Sequence, residues 1–92
     1  MNLYLVHAGF YDEDVSSGFY ESHTNYFVVA DSVKSAKLKA RSIKEYQDKK
    51  MHIDGIMEIN EVDGYNISLL PVDNRNKSGV KKYGYDEVKK IK

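Results

Sequence analysis

The sequence predicts an α+β domain in which one helix packs on a four-stranded, mainly antiparallel sheet, in the order β-β-α-β-β. Two strand-like runs precede a single stretch of helical period, and a stretch centred on Asp63-Gly64 reads as a hairpin after it. One helix covers only one face of such a sheet, so the other face is expected to be solvated or buried by a partner. We predict a single domain over residues 1–72, followed by a basic linker and tail over residues 73–92.

The first two strands are predicted from apolar runs. Leu3 to Val6, followed by Ala8-Gly9-Phe10, indicates a well-buried strand. The aromatic and β-branched run from Tyr26 to Ala30 indicates a central strand that starts near His23. Between them, residues 11–21 are polar and predict a long loop.

The helix is predicted from a cap and a stripe. Asp31 or Ser32 is a suitable N-cap, and the helix is expected to end around residues 48–50. Apolar residues recur at helical spacing and form the stripe expected to face the sheet: Val33, Ala36, Ala40 and Ile43.

The hairpin is predicted to turn through a three-residue loop, residues 62–64, with Gly64 in the left-handed conformation. That register pairs Ile59 with Ile67 and gathers aliphatic side chains on one face, which includes Ile53, Met57 and Ile59. His52 and Asp54 then fall on the other face. Beyond Pro71, residues 73–79 form a polar linker, and the tail either frays or docks as a short helix from Asp86 onward.

The charges are segregated along the chain. All fourteen Lys and Arg residues lie within residues 34–50 and 75–92, whereas residues 1–30 and 51–72 contain none and carry four acidic residues each. The absence of Cys excludes a disulfide, a thiolate nucleophile and Cys-ligated zinc. The N-terminus lacks the basic region of a signal peptide, and no segment approaches the ~20 apolar residues of a membrane span. We therefore expect a cytoplasmic protein without a membrane partner.

Four residues form the candidate catalytic or metal-binding site. Glu21 and His23 are two apart at a strand start and share a face, as do His52 and Asp54 in the hairpin. If these strands begin side by side, the four side chains converge. Two imidazoles and two carboxylates suit Zn²⁺ or a similar divalent ion, or acid–base catalysis. Hydrogen-bonded structural or surface groups are the alternative reading.

Other polar residues give weaker signals. His7, among apolar neighbours, reads as a core or interface histidine. Asp12-Glu13-Asp14 lacks the spacing of a calcium loop and reads as a solvated loop. The sequence contains no glycine-rich phosphate loop and no hydrolase or metalloprotease motif.

Basic residues keep a nucleic-acid interface open as a further alternative. Phosphate contacts would come from one face of the helix and from the tail, where cations alternate with tyrosines. The ordinary reading is a solvated helix face and a solubilising tail. The candidates are Lys34, Lys37, Arg41, Lys44, Lys81 and Lys82.

Several short motifs follow one another along the chain: Tyr4-Leu5-Val6 with Gly9, Glu21-x-His23, Phe27-Val28-Val29-Ala30, Ala36-Lys37-x-Lys39-Ala40, His52-Ile53-Asp54 and Asp63-Gly64-Tyr65. Together they resemble a bacterial family of small proteins catalogued only as a domain of unknown function. The resemblance covers roughly residues 2–70 and implies a compact α+β domain with no established activity. Longer members of the family carry two similar halves, which implies that a one-half protein pairs with itself. The resemblance places Glu21, His23, His52 and Asp54 at signature positions.

Taken together, these observations predict a non-catalytic, self-associating binding module, most simply a homodimer, without a cofactor. The first alternative is a small metal-dependent or acid–base enzyme that uses the His and carboxylate cluster, with a divalent metal such as zinc as the ion in the metal-dependent case. The second alternative is a nucleic-acid binder that uses the helix and the tail.

Overall fold

A three-stranded antiparallel sheet forms the centre of the computed structural model, which describes residues 1–73 and 79–92. The strands are β1 (Asn2–Tyr11), β2 (Glu21–Ala30) and β3 (His52–Ile59), in the order β2-β1-β3. The α+β class is confirmed. The strand predicted to be central, β2, is instead an edge strand of this sheet, because β1 pairs with both of the others.

The predicted single helix is broken into two. α1 (Val33–Arg41) begins at Ser32, whose Oγ accepts a hydrogen bond from the backbone N–H of Ser35 at 3.1 Å, as the N-cap prediction requires. The helix then stops, because Ile43 has extended backbone angles (φ −67°, ψ 132°) and α2 (Lys44–Asp48) restarts after it. The Ser42 hydroxyl donates to the Lys39 carbonyl at 2.6 Å, a local bond that competes with helix continuation.

The main core lies between α1 and one face of the sheet. Ala36 and Ala40 of the predicted stripe are fully buried, and their small side chains allow the helix to lie close to the strands. Val33, by contrast, is exposed. The buried residues of this cluster are Tyr4, Val6, Val28, Ala30, Ala36 and Ala40.

A second, smaller buried cluster comprises Ala8, Phe10 and Met51, against which Tyr26 packs. Burial, together with the hydrogen bond that the Tyr26 hydroxyl donates to Glu45, raises the pKa of Tyr26 to about 12. The phenol therefore stays neutral over the physiological range and fixes α2 against the sheet.

The hairpin differs from its predicted form. β4 (Glu61–Val62) and β5 (Tyr65–Asn66) make a separate two-stranded sheet in which Val62 pairs with Tyr65. The loop has two residues, Asp63 (φ 54°) and Gly64 (φ 80°), both left-handed, as in a type I′ turn. The positive φ of Gly64 is confirmed, but the three-residue loop is wrong. These short strands are exposed on both faces, so burial does not select the register that was predicted.

The predicted four-stranded sheet with a single helix is therefore not what the structure shows. Within residues 1–73 and 79–92, the second half of the predicted hairpin does not join the main sheet. The helical part consists of α1, α2 and a further short helix near the C-terminus.

A β-bulge in β3 changes the predicted alternation of its side chains. His7 pairs with Gly55 and Ala8 with Ile53, so Asp54 is an extra residue on this strand. Ile53 and Ile56 consequently both pack against the core under α1. The prediction that Ile53 shares a face with Met57 and Ile59 is wrong for this reason.

We call the side of the sheet opposite α1 the open face. The cross-strand partners show that the side chains at one end of this face are apolar and those at the other end are mostly polar. Phe27 is 72% exposed and Met57 is 59% exposed at the apolar end. The cross-strand sets of this face, from one end to the other, are Val29–Leu3–Ile59, Phe27–Leu5–Met57, Asn25–His7–Gly55, His23–Gly9–His52 and Glu21–Tyr11.

The tail contains α3 (Tyr85–Lys90), every residue of which is exposed. Most of the predicted linker, residues 74–78, lies outside the described residues, and the division into residues 1–72 and 73–92 stays a prediction. None of the helices in the described ranges is long and apolar enough to cross a lipid bilayer.

Candidate metal centre

Four side chains from the two outer strands converge above Gly9 of the central strand. His23 of β2 and His52 of β3 both pair with Gly9, one from each side. Glu21 lies two residues before His23, on the same face. Asp54 is the extra residue of the bulge in β3. The structure thus brings together the four residues that the sequence singled out.

Nitrogen and oxygen atoms alternate around this cluster. Asp54 Oδ2 lies 2.9 Å from His23 Nε2, and Asp54 Oδ1 lies 3.1 Å from His52 Nε2. Glu21 repeats the pattern, since its Oε1 contacts His23 Nε2 and its Oε2 lies 3.3 Å from His52 Nε2. Each carboxylate therefore contacts both imidazoles, and uses a different oxygen for each.

Gly9 provides the space in which the four groups meet. A Cβ atom at this position would lie 2.7 Å from both Asp54 Oδ2 and His52 Nε2, and 2.8 Å from Glu21 Oε1. Contacts this short do not occur at real Cβ atoms, so any other residue would force the cluster apart. Gly9 belongs to one of the family motifs, but this role was not predicted, because the sequence does not place β1 at the centre of the sheet.

Three neighbouring side chains support the cluster. The His7 ring stacks on the His23 ring with centroids 4.6 Å apart and planes 6° from parallel. Its Nδ1 lies 2.8 Å from Asn25 Oδ1. The Tyr11 hydroxyl donates to Glu21 Oε2 at 3.3 Å. His7 was interpreted as a core or interface histidine. The core interpretation is wrong, because His7 alternates with buried Val6 and Ala8 and lies on the open face, and the interface interpretation stays a prediction. The sequence offered one signal for this position: His7 is two residues from Gly9, and residues two apart on a strand share a face.

The neighbours of Asp54 favour the negative form of its carboxylate. Partial desolvation acts to raise the pKa of Asp54. The hydrogen bond with Glu21 and the adjacent His52 and His23 act in the opposite direction and are stronger together, so the pKa of Asp54 is lowered. The negative charge of Glu21, and its hydrogen bond with the phenol, raise the pKa of Tyr11. The cluster stays open to solvent, since His52 and His23 are 45% and 38% exposed.

The cluster matches the ligand chemistry and the spacing of a divalent-metal site. Zn²⁺ accepts imidazole and carboxylate ligands at ~2.0–2.1 Å, which in a tetrahedron places neighbouring ligand atoms about 3.3 Å apart. Three of the four nitrogen–oxygen contacts, at 2.9, 3.1 and 3.3 Å, lie close to this spacing. Imidazole and carboxylate donors also suit iron, copper and nickel.

The basic candidates lie elsewhere. Lys34, Lys37 and Arg41 belong to α1, on the opposite side of the sheet from the cluster. Lys44 begins α2 and donates to Asp48 at 2.6 Å. Lys81 lies 5.5 Å from the ring centroid of Tyr83 in the exposed tail, next to Lys82. In the acidic loop, Asp12 Oδ1 accepts a hydrogen bond from the Asp14 backbone at 2.9 Å.

The fold and the cluster together define an α+β domain with a His and carboxylate centre on the open face of its sheet. The model of a family described as Domain of Unknown Function (DUF1543) matches residues 18–69. The chain belongs to this family, since the match covers more than half of it. No curated protein and no solved structure matches the chain significantly. The matched range contains all four cluster residues, whereas His7, Gly9 and Tyr11 precede it.

Proposed function

We propose that this domain is a metal-binding module that holds a divalent transition-metal ion, of the Zn²⁺ type, through Glu21, His23, His52 and Asp54. The observation that carries the proposal is the convergence of these side chains above Gly9, where nitrogen and oxygen atoms alternate at contact distance.

Hydrogen bonding alone satisfies this arrangement poorly. Each histidine Nε2 faces one oxygen of Glu21 and one of Asp54, but it carries at most one proton to donate. Four nitrogen–oxygen contacts thus share no more than two protons. A cation in the middle of the cluster interacts favourably with all four groups at once, without any imidazolium charge.

The charge of the surroundings also favours a cation. Residues 1–30 and 51–72, which supply all three strands of the sheet, contain no Lys or Arg. With neutral imidazoles and both carboxyl groups ionised, the cluster carries two negative charges, from Glu21 and Asp54, and these attract divalent cations.

Asp54→Asn tests this proposal, because it removes one negative charge while preserving the size of the side chain. The wild-type protein is expected to retain zinc through gel filtration. Asp54→Asn is expected to weaken zinc binding at least ~10-fold, because even the loss of a residue that only supports a metal ligand lowers affinity by ~10–100-fold. Affinity is measured by competition with a chromophoric chelator.

The matched control is Asp63→Asn in the hairpin turn, where asparagine tolerates the left-handed backbone. This variant is expected to bind zinc like the wild type. A wild-type protein that binds no zinc, or an Asp54→Asn variant that binds as tightly as Asp63→Asn, would contradict the proposal.

A second candidate function is self-association through the open face, with a second copy of this chain as the occupant. Phe27 and Met57 flank Leu5 and are largely exposed, at 72% and 59%. Charge complementarity favours a second copy over an unrelated protein, because residues 80–92 carry five Lys while the sheet carries no cationic Lys or Arg. In a two-fold pair, the tail of each copy is placed against the acidic sheet of the other.

Phe27→Asp is expected to dissociate this pair, since it places a charge in the centre of the apolar contact. Sedimentation velocity over a range of concentrations measures the result. The control is Phe19→Asp, which changes a similarly exposed side chain (77%) in the loop between β1 and β2. A wild-type protein that stays monomeric at the highest concentration, or a Phe19→Asp variant that dissociates equally, would count against this second function.

A further inference from the structure

We infer that the centre holds two divalent ions rather than one, bridged by Asp54 and Glu21, and that His7 is a ligand of the second ion. This inference rests on the metal binding proposed above. It assigns to His7 a role in a centre whose other ligands come from β2 and β3.

The first observation is that the ligand atoms fall into two sets. Glu21, His52 and Asp54 each offer a ligand atom within 4.8 Å of the others. His7, His23 and Asp54 form a second set by the same measure. Asp54 belongs to both sets, which is the arrangement of a bridging carboxylate.

The second observation is how the carboxylate oxygens are distributed. Asp54 directs Oδ1 to His52 and Oδ2 to His23. Glu21 directs Oε2 to His52 and Oε1 to His23. A carboxylate that binds one ion through each oxygen suits a pair of ions ~3.5–4 Å apart, the separation found in two-metal sites. In this arrangement one ion lies beside His52 and the other beside His23.

The third observation fixes the tautomer of His7. Its Nδ1 lies 2.8 Å from Asn25 Oδ1, which can only accept a hydrogen bond, so Nδ1 carries the proton. In the neutral ring, Nε2 then keeps a free lone pair. A histidine that donates one ring N–H to an oxygen and binds metal through the other nitrogen is the usual arrangement in metal sites.

The fourth observation is the parallel stacking of His7 on His23, with centroids 4.6 Å apart. This stacking holds the His7 ring beside the His23 ring, on the side of the cluster where the second ion is proposed.

Zinc stoichiometry tests the inference. After loading with excess Zn²⁺ and gel filtration, the wild-type chain is expected to retain two equivalents by elemental analysis, and His7→Ala to retain one. Asn25→Ala, which removes only the partner of Nδ1, is expected to keep both equivalents in a titration but to bind the second ~10–100-fold more weakly. Circular dichroism checks that each variant is folded.

A second measurement uses Cu²⁺ as a probe. Two copper ions about 4 Å apart couple magnetically, as the two-metal separation predicts, and broaden or silence the electron paramagnetic resonance signal of isolated ions. The wild type loaded with two equivalents is expected to show this coupling, and His7→Ala to give the signal of an isolated ion.

The outcomes separate the two proposals. One equivalent of zinc in the wild type overturns the two-ion inference and leaves the proposed metal binding intact. No bound zinc overturns both. Two equivalents retained equally by the wild type and His7→Ala, with unchanged affinity, remove His7 from the centre.

Discussion

Replacement of Gly9 by alanine is expected to abolish tight zinc binding while the fold remains intact. The new Cβ atom would lie 2.7–2.8 Å from atoms of three ligands, namely Asp54, His52 and Glu21. Disturbing a single supporting residue of a metal site typically lowers affinity ~10–100-fold, so the displacement of three ligands is expected to exceed that range. Competition with a chelator measures the change.

The fold is expected to survive because the atoms in the way are the far ends of side chains that are open to solvent. These ends can rotate away without a shift of the strands. Alanine also restricts the unfolded chain more than glycine does, which offsets part of the strain by ~0.5–1 kcal/mol. Thermal unfolding without metal should therefore differ little between Gly9→Ala and the wild type.

Gly55→Ala is the matched control for Gly9→Ala. Gly55 lies on the same open face and pairs with His7, in the cross-strand set next to that of Gly9. A Cβ atom at Gly55 would meet nothing within 4 Å. This variant is expected to bind zinc as the wild type does. If Gly9→Ala retained wild-type affinity, or if both variants lost it equally, the assignment of Gly9 as the floor of the centre would be wrong.

The second large effect is expected in the core, where Tyr4→Ala should lower the free energy of unfolding by ~3–5 kcal/mol. Tyr4 is 1% exposed and packs in the cluster under α1. Domains of this size have a total stability of about 5–15 kcal/mol, so the loss is a large part of the whole. Urea unfolding measures it.

Tyr4→Phe separates packing from hydrogen bonding in the same position. The Tyr4 hydroxyl donates to Glu58 Oε1 at 3.1 Å, and its removal is expected to cost ~0.5–1.5 kcal/mol. Tyr85→Ala, in exposed α3, should change stability by no more than ~0.5 kcal/mol. Equal losses for Tyr4→Ala and Tyr4→Phe would contradict the assignment of Tyr4 to the core.

The parts of the fold that sequence reasoning predicted are those in which burial selects the structure. The apolar run from Leu3 to Val6, followed by Ala8-Gly9-Phe10, predicts β1, and the structure buries Tyr4, Val6 and Ala8 of this run. Ser32 caps α1 as its side-chain chemistry predicts. At Val62 and Tyr65, where burial is weak, the side-chain pattern does not determine the hairpin register. The preference of Asp63-Gly64 for a two-residue turn determines it instead.

The candidate site was predicted only as far as local spacing allows. A two-residue spacing places Glu21 with His23, and His52 with Asp54, on one face of their strands. The convergence of the two pairs depends on which strand lies between them, and the sequence does not encode that order locally. Gly9 and His7 were missed for this reason. The bulge at Asp54 follows from pairing with β1, and the only local signal for it is Gly55, since a glycine inside a strand often marks a bulge.

Because β1 alternates between its two sides, neighbouring residues of one strand serve separate tasks. Val6 and Ala8 belong to the packed interior, whereas His7 and Gly9 lie on the open face beside the proposed centre. Substitutions at His7 can therefore test the proposed centre without repacking the hydrophobic layer.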